Sequence, residues 1–279
     1  MDTTDPAAGP TLPAALPAAL PSALIVILAE ITGAALLWGL LTAEATVIVL
    51  ALLAVMGAGF ALMQTRPRIE DAIVKAFQSS RGLATALGLA IVLIFPFVLG
   101  NNTYALHLVI VALLYSVLAL ALNFQLGSAN IPNFATGATY GIGAYTSGLL
   151  AINFGWSLWA TLPAAALVAT AFGFLLGIPS MRTRDSYLAL VTIAFGIVIH
   201  QLLNNFDWTG GANGLVGIPA PSLFGHSFMQ PIEVFGFRLP AQANFYYLAA
   251  ALLGLAILSA RRLHESRIGL AWNAIRADE

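Results

Sequence analysis

Eight long apolar stretches decide what this chain can fold into. They occupy residues 21–41, 45–63, 83–99, 105–122, 138–153, 158–178, 187–203 and 244–260. An α-helix needs about 20 apolar residues to cross a bilayer, and in hydrocarbon it pairs all its backbone polar groups internally. The stretches therefore predict an all-α fold, a polytopic transmembrane bundle of about eight spanning helices.

The composition excludes several other classes of function. Hydrophobic residues make up 59% of the chain and charged residues 8%, whereas about a quarter of the residues of a soluble protein are charged. Eleven basic residues against twelve acidic ones leave no positive excess for a nucleic-acid partner. There is no cysteine, and the four histidines show no i, i+4 pairing. We therefore predict no thiol chemistry, no metal, no cofactor and no catalytic residue.

The basic residues orient the predicted helices. Ten of the eleven fall in three clusters, each separated from the next by an even number of stretches: Arg66, Arg68, Lys75 and Arg81; Arg182 and Arg184; and Arg261, Arg262, Arg267 and Arg276. Because cytoplasmic loops carry an excess of Lys and Arg, we expect all three clusters and the N-terminus on the cytoplasmic side. Arg238 is then the only Lys or Arg in the predicted outer loops. This predicts a multi-pass protein of the cell (inner or plasma) membrane.

Segment 123–137 breaks the helical pattern without becoming a charged loop. It mixes apolar residues with asparagines, Gly127 and Pro132. Non-helical backbone at membrane depth is tolerated only against protein or a water-filled cavity, so we interpret the segment as broken or re-entrant and lining a pathway. An ordinary uncharged turn is the alternative. The predicted pathway residues are Asn123, Asn130, Asn133, Thr136 and Tyr145.

Small residues recur at helical spacing after this segment. Gly137 and Gly141, and then Ala144 and Gly148, lie four residues apart, with Gly143 between them. Such spacing lets another backbone approach closely, so we predict that Gly137, Gly141, Gly143 and Gly148 serve helix packing, near the pathway or simply as structure. Gly173 and Gly177 repeat the spacing in the next stretch.

Two carboxylates and one loop complete the pattern. Glu30 lies in the middle of the first stretch and Glu44 at its end. A mid-membrane carboxylate faces other helices or a cavity, unless the helix boundary lies elsewhere. Residues 204–243 form the longest outer loop, whose Gly and Asn residues suit turns with positive φ. We expect this loop to be structured, either as plain turns or as a docking surface. Residues 1–20 are a Pro/Ala-rich lead-in.

Three motifs in the second half resemble the permease subunits of the branched-chain amino-acid (LivM-like) importers, a family of ABC transporters. The first is Gly141-Ile-Gly-Ala-Tyr-Thr146. The second starts at Arg184-Asp-Ser-Tyr-Leu-Ala-Leu-Val-Thr192 and leads through Phe195-Gly196 to Thr209-Gly-Gly-Ala-Asn-Gly-Leu215 and Ile218-Pro219. The third is Ser266-Arg-Ile-Gly-Leu-Ala-Trp-Asn-Ala-Ile-Arg-Ala-Asp-Glu279. The resemblance covers residues 105–279, whereas residues 1–104 look divergent. It implies a permease domain over 21–260 followed by a cytoplasmic coupling segment at 261–279.

The resemblance also implies partners and a function. The third motif looks like the loop that couples a permease to ATP-binding subunits, with Arg267, Gly269, Ala274, Arg276, Asp278 and Glu279 as the contacts. An amphipathic helix on the membrane surface is the alternative. The chain has no phosphate-binding loop of its own, so a separate ATPase, a second permease subunit and an extracytoplasmic solute-binding protein are expected.

The expected activity is non-catalytic: import of branched-chain amino acids or related small polar solutes such as urea and short amides. A carrier or channel driven by an ion gradient is the alternative. Two departures from the family pattern stand out. Asn130-Ile-Pro-Asn133 replaces a Ser-Leu-Gly-His-Ala type run, and the sequence stops at Glu279 inside the coupling motif. We therefore expect an incomplete coupling segment, a split gene product or further helices supplied by another chain.

Overall fold

The fold is described from a computed structural model of residues 21–128, 133–180, 185–234, 236–267 and 269. The described chain is almost entirely helical, as predicted. Its helices are α1 (Ser22–Thr42), α2 (Thr46–Thr65), α3 (Pro67–Ser79), α4 (Arg81–Leu99), α5 (Thr103–Asn123), α6 (Thr136–Phe154), α7 (Leu158–Ser180), α8 (Asp185–Asn205) and α9 (Gln242–His264). The lead-in at 1–20 lies outside the described residues.

Each of the eight predicted stretches forms one helix. Seven of these helices, α1, α2, α4, α5, α7, α8 and α9, are long and apolar enough to cross a membrane. The eighth, α6, has 19 residues but is not among the seven, because its glycines and hydroxyl-bearing residues lower its hydropathy. The prediction of a polytopic helical bundle is confirmed.

The chain divides into two compact units, at residues 1–93 and 94–279. In the first unit α1 packs against α2 and α3. Helix α3, which lies in a segment predicted only as a cytoplasmic connection, begins with Pro67 at its first turn, where proline costs no hydrogen bond. Its less exposed residues, Ile73, Ala76 and Phe77, follow the i, i+3, i+4 spacing of one helix face. Helix α3 is therefore amphipathic and does not span.

Glu30 lies inside α1, so the alternative of a misplaced helix boundary is wrong. Its Oε2 is buried and has no hydrogen-bond partner among the described residues. Gly88 of α4 faces it: a Cβ at Gly88 would lie 3.8 Å from Oε2. A larger residue at 88 would crowd this carboxylate. Glu44, in contrast, is exposed in the turn between α1 and α2.

In the second unit α6 is central, since it packs against α5, α7 and α8, while α5 also packs against α9. The loop between α8 and α9 is structured, as expected. It contains the 3-10 turns Asp207–Thr209 and Gly211–Asn213, and the antiparallel hairpins β1 (Ser222–Leu223) with β2 (His226–Ser227) and β3 (Ile232–Val234) with β4 (Phe237–Leu239). Gly210, Gly211, Gly214 and Gly217 all have positive φ, which confirms the predicted turns.

Two side chains tie this loop to the spanning helices. Asn244 of α9 is buried, and its Nδ2 donates to the carbonyl oxygens of Phe228 at 3.1 Å and Gln230 at 2.9 Å. Trp159 of α7 donates from Nε1 to the carbonyl oxygen of Ser222 at 2.8 Å. Residues 222–230 are therefore held by side chains near the starts of α7 and α9.

Candidate functional site

The predicted break in the helical pattern begins where α5 ends. After Asn123 the backbone widens into a π-helix at Phe124–Ser128, a rare geometry that is often found at functional sites. The side chain of Asn123 lies over this turn, because a Cβ at Gly127 would lie 3.4 Å from Asn123 Oδ1. Residues 129–132, which include the predicted pathway residue Asn130, lie outside the described residues.

A polar cluster forms where the chain returns to helix at α6. We define it as Gln125, Asn133, Thr136 and Thr192. Asn133 Oδ1 accepts from the Ala135 amide at 2.9 Å, and the Phe134 amide donates to Thr192 Oγ1 at 3.1 Å. Thr136 Oγ1 lies 3.4 Å from Gln125 Oε1. The polar cluster therefore joins the π-helix, the turn before α6, and α8.

The Thr136 hydroxyl is only weakly engaged among the described residues. Its two oxygen contacts, to Gln125 Oε1 and to the Asn133 carbonyl, are both 3.4 Å long, whereas strong O–H···O bonds measure about 2.7 Å. Its described neighbours therefore hold the Thr136 hydroxyl only weakly. The sequence analysis predicted neither Gln125 nor Thr192 as a pathway residue. Gln125 nevertheless lies in the predicted broken segment, and Thr192 ends the first run of the second motif.

The structure brings Asn133 and Thr136 together but sets Tyr145 apart. Tyr145 follows Thr136 by nine residues on the same helix, which corresponds to about 13 Å along the axis. It lines a different feature, a cavity of about 370 Å³ between α6, α7, α8 and the first 3-10 turn. The cavity is lined by Ile142, Tyr145, Thr146, Leu149, Leu150, Val168, Phe172, Ile199, Leu202, Leu203, Phe206, Trp208 and Thr209. The predicted pathway residues thus fall into a polar group and an apolar one.

The glycines of α6 differ in what they face. A Cβ at Gly148 would lie 2.8 Å from Leu215 Cδ1, and one at Gly141 would lie 3.4 Å from Leu203 Cδ1. A Cβ at Gly143 would lie 3.8 Å from the Ala169 Cβ of α7. A Cβ at Gly137, or at Gly173 or Gly177 of α7, would meet no such atom within 4 Å in the described part of the chain. Among these glycines, only Gly141, Gly143 and Gly148 of α6 therefore lie close to a neighbouring segment of the described chain.

The predicted coupling segment begins with a tight turn after α9. Ser266 Oγ donates to the Leu263 carbonyl at 2.6 Å, and the Gly269 amide donates to Ser266 Oγ at 3.3 Å. A Cβ at Gly269 would meet the carbonyl oxygens of Leu263 and His264, so the turn requires glycine there. Arg267 is exposed. Ala274, Arg276, Asp278 and Glu279 lie outside the described residues.

Comparison with known proteins assigns this helical scaffold. The family model described as "Branched-chain amino acid transport system / permease component" matches residues 104–279. The chain belongs to this family. The matched region contains the π-helix, the polar cluster, the cavity and the turn after α9. The protein is thus a multi-pass membrane protein of a family described as a permease component of a transport system.

Two curated relatives share this assignment. The chain is 37% identical over 226 residues to the high-affinity branched-chain amino acid transport system permease protein LivM of Escherichia coli K12, with 76% of this chain and 52% of that protein covered. It is 37% identical over 204 residues to LivM of Salmonella typhimurium LT2, with 68% and 48% covered. The chain spans about half the length of these relatives. No solved structure matches it.

Proposed function

We propose that this permease forms part of the membrane path of an ATP-driven importer for branched-chain amino acids or for related small polar solutes such as urea and short amides. The family match over residues 104–279 carries this proposal. The polar cluster supports it, because uncharged amide and hydroxyl groups offer hydrogen bonds to a zwitterion without fixing it by a strong charge.

Two features of the proposed path follow from its geometry. Residues of the polar cluster come from separate helices, so a shift of α8 relative to α6 would break the bond from the Phe134 amide to Thr192. The path can therefore open or close as helices move. Asn123 and Asn133 lie on either side of the helix break, at the end of α5 and just before α6.

The proposed partners are ATP-binding subunits on the cytoplasmic side, a second permease subunit and an extracytoplasmic solute-binding protein. The turn at Ser266 and Gly269 supports a coupling role for residues 261–279, since it redirects the chain where α9 ends with Arg261, Arg262 and His264 in its last turn. The cluster of positive charge at this end also supports a cytoplasmic N-terminus and C-terminal segment in the cell (inner or plasma) membrane.

The coupling role predicts that Arg276→Glu lowers co-purification of the ATP-binding subunits while the permease still inserts into the membrane. Reversing the charge replaces an attraction with a repulsion, which costs a few kcal/mol at a desolvated interface. The measurement is the ratio of ATPase to permease after affinity purification from membranes. Lys75→Glu, at an exposed residue of α3 outside the coupling segment, serves as the charge-reversal control. An unchanged ATPase ratio for Arg276→Glu would contradict the role.

One observation favours a second candidate function, a carrier driven by an ion gradient. Carriers of that kind bury carboxylates along the route, and Glu30 Oε2 is buried without a partner among the described residues. Glu30→Gln would replace that carboxyl group with an amide of almost the same shape.

Uptake of labelled leucine into vesicles that contain the assembled transporter separates the two functions. The ATP-driven importer predicts uptake that requires ATP, resists an ionophore and survives Glu30→Gln. Uptake that persists without ATP, and is lost with the ionophore and in Glu30→Gln, would establish the carrier instead. Glu44→Gln, at an exposed carboxylate, is the matched control.

A further inference from the structure

The cavity between α6, α7 and α8 differs chemically from the polar cluster. Its lining contains no charged residue. Two of its polar side chains are already engaged: Thr146 Oγ1 donates to the Ile142 carbonyl at 2.7 Å, and Thr209 Oγ1 lies 2.7 Å from the carbonyls of both Leu203 and Phe206. These threonines therefore offer the cavity little more than their methyl groups. Tyr145 and Trp208 carry the only other polar side-chain atoms in the lining.

Such a lining does not suit a whole zwitterion. An ammonium and a carboxylate would lose their hydration on entry, and each needs hydrogen bonds or an opposite charge to offset that loss. The cavity provides too few free hydrogen-bonding groups and no charged side chain. An unbranched alkyl chain needs no such partners and gains the dispersion contacts that an empty cavity would forfeit.

The shape and the opening of the cavity indicate the source of such an alkyl chain. Helix α6 forms the floor, where Ile142 is 8% exposed, whereas the rim is open and Trp208 is 63% exposed. Trp208 and Phe206 form a tilted ring pair with centroids 6.1 Å apart, just beyond the end of α8. Aromatic side chains at the ends of spanning helices lie at the level of the lipid headgroups. The cavity thus extends from the membrane interface into the depth of the spanning helices.

We propose that this cavity binds one acyl chain of a membrane phospholipid, whose glycerol region lies beside Trp208. The bound chain fills the space between α7 and α8 on the floor of α6 and so supports the helix that carries Thr136. The site is separate from the polar cluster, because none of the residues of that cluster lines it. This inference does not depend on which solute is transported.

Photo-crosslinking tests the site. The transporter is reconstituted into nanodiscs with phosphatidylcholine that carries a diazirine on its acyl chain, and adducts are mapped by mass spectrometry. We expect adducts on the floor residue Ile142, whose 8% exposure keeps it from lipids around the outside of the protein. Labelling of Leu167, which is 73% exposed on α7 and outside the lining, with no labelling of the floor would overturn the proposal.

A substitution that fills the cavity, paired with the same substitution at the adjacent residue, makes the test more specific. Val168→Trp places an indole in the cavity and should lower floor labelling about tenfold, which corresponds to about 1.4 kcal/mol of lost affinity. Leu167→Trp, one residue away, should leave it unchanged. Equal losses in both variants would contradict the proposal. Val168→Phe, with monodispersity as a check, replaces Val168→Trp if that variant does not fold.

A protein occupant is the remaining outcome. A photoreactive amino acid at position 168 should capture lipid in the assembled transporter. Capture of another polypeptide there, at the expense of lipid, would show that a helix of a partner covers the cavity and would overturn the acyl-chain site.

Discussion

At the scale of single residues, Gly210 occupies a backbone position that no residue with a side chain can take. Its φ is +83°, and a Cβ there would collide with the carbonyl of Gly214. Gly217 has the same φ of +83°, but a Cβ there would meet no atom within 4 Å in the described chain. Comparing substitutions at the two positions therefore distinguishes the cost of backbone strain from the cost of steric collision.

Alanine at these two positions should have unequal effects. Gly217→Ala should lower the free energy of unfolding by about 1–2 kcal/mol, the cost of a left-handed conformation for a residue with a Cβ. Gly210→Ala should cost clearly more, because the backbone at Gly214 must also move. Thermal unfolding of both variants in the same detergent measures the difference. Equal losses would show that the loop relaxes freely around Gly210.

At the scale of elements, the spanning helices were predictable and the irregular elements were not. Apolar stretches mark spanning helices directly, so α5 was expected at 105–122 and is found at Thr103–Asn123. The sequence also indicated a break after Asn123, from Gly127 and Pro132. It could not show that the break starts as a π-helix, because that geometry depends on how the last turn of α5 packs. It also missed α3, whose charges hid its apolar face.

The cavity was unpredictable for the same reason. Its floor, walls and rim come from three helices and a turn that lie far apart in sequence, and only their packing brings them together. Tyr145 illustrates the limit: its uncharged hydroxyl suggested a pathway contact, which stays a prediction, but the sequence could not show that the residue lines the apolar cavity. The polar cluster was half predictable, since Asn133 and Thr136 lie in the broken segment while Thr192 comes from α8.

Asn244 provides a test of how the outer loop is held. Asn244→Asp keeps the shape of the side chain but replaces the amide donor with an acceptor that faces the carbonyl oxygens of Phe228 and Gln230. Loss of a buried hydrogen bond with its partners left unpaired costs about 1–3 kcal/mol. We expect a lower unfolding temperature and faster proteolysis within residues 222–240.

Asn205→Asp is the matched control for this test. The Asn205 amide also donates to a backbone carbonyl, that of Gln201 at 2.8 Å, but it is exposed. Asn205→Asp should appreciably change neither the unfolding temperature nor the rate of proteolysis within residues 222–240. Loop proteolysis that is equally slow in Asn244→Asp and the wild-type chain would contradict the anchoring role.

At the scale of the whole molecule, the proposed transport path has two ends that must face opposite sides of the membrane. These 279 residues contain no cysteine, so an introduced thiol is the only one within them. Glu233, an exposed residue of the outer loop, and Lys75 of α3, which is also exposed, report the two sides. In intact cells an impermeant maleimide should label Glu233→Cys at once and Lys75→Cys only after permeabilisation.

The most direct test of the account places a thiol in the polar cluster itself. Thr136→Cys in the assembled transporter should react with a hydrophilic methanethiosulfonate reagent, and leucine should slow that reaction, because solute and reagent would share one water-accessible path. Leu167→Cys, exposed on α7 and outside the cavity, should react slowly with or without leucine. Failure of Thr136→Cys to react, or a reaction rate that no solute of the proposed class changes, would contradict the claim that this segment lines the path.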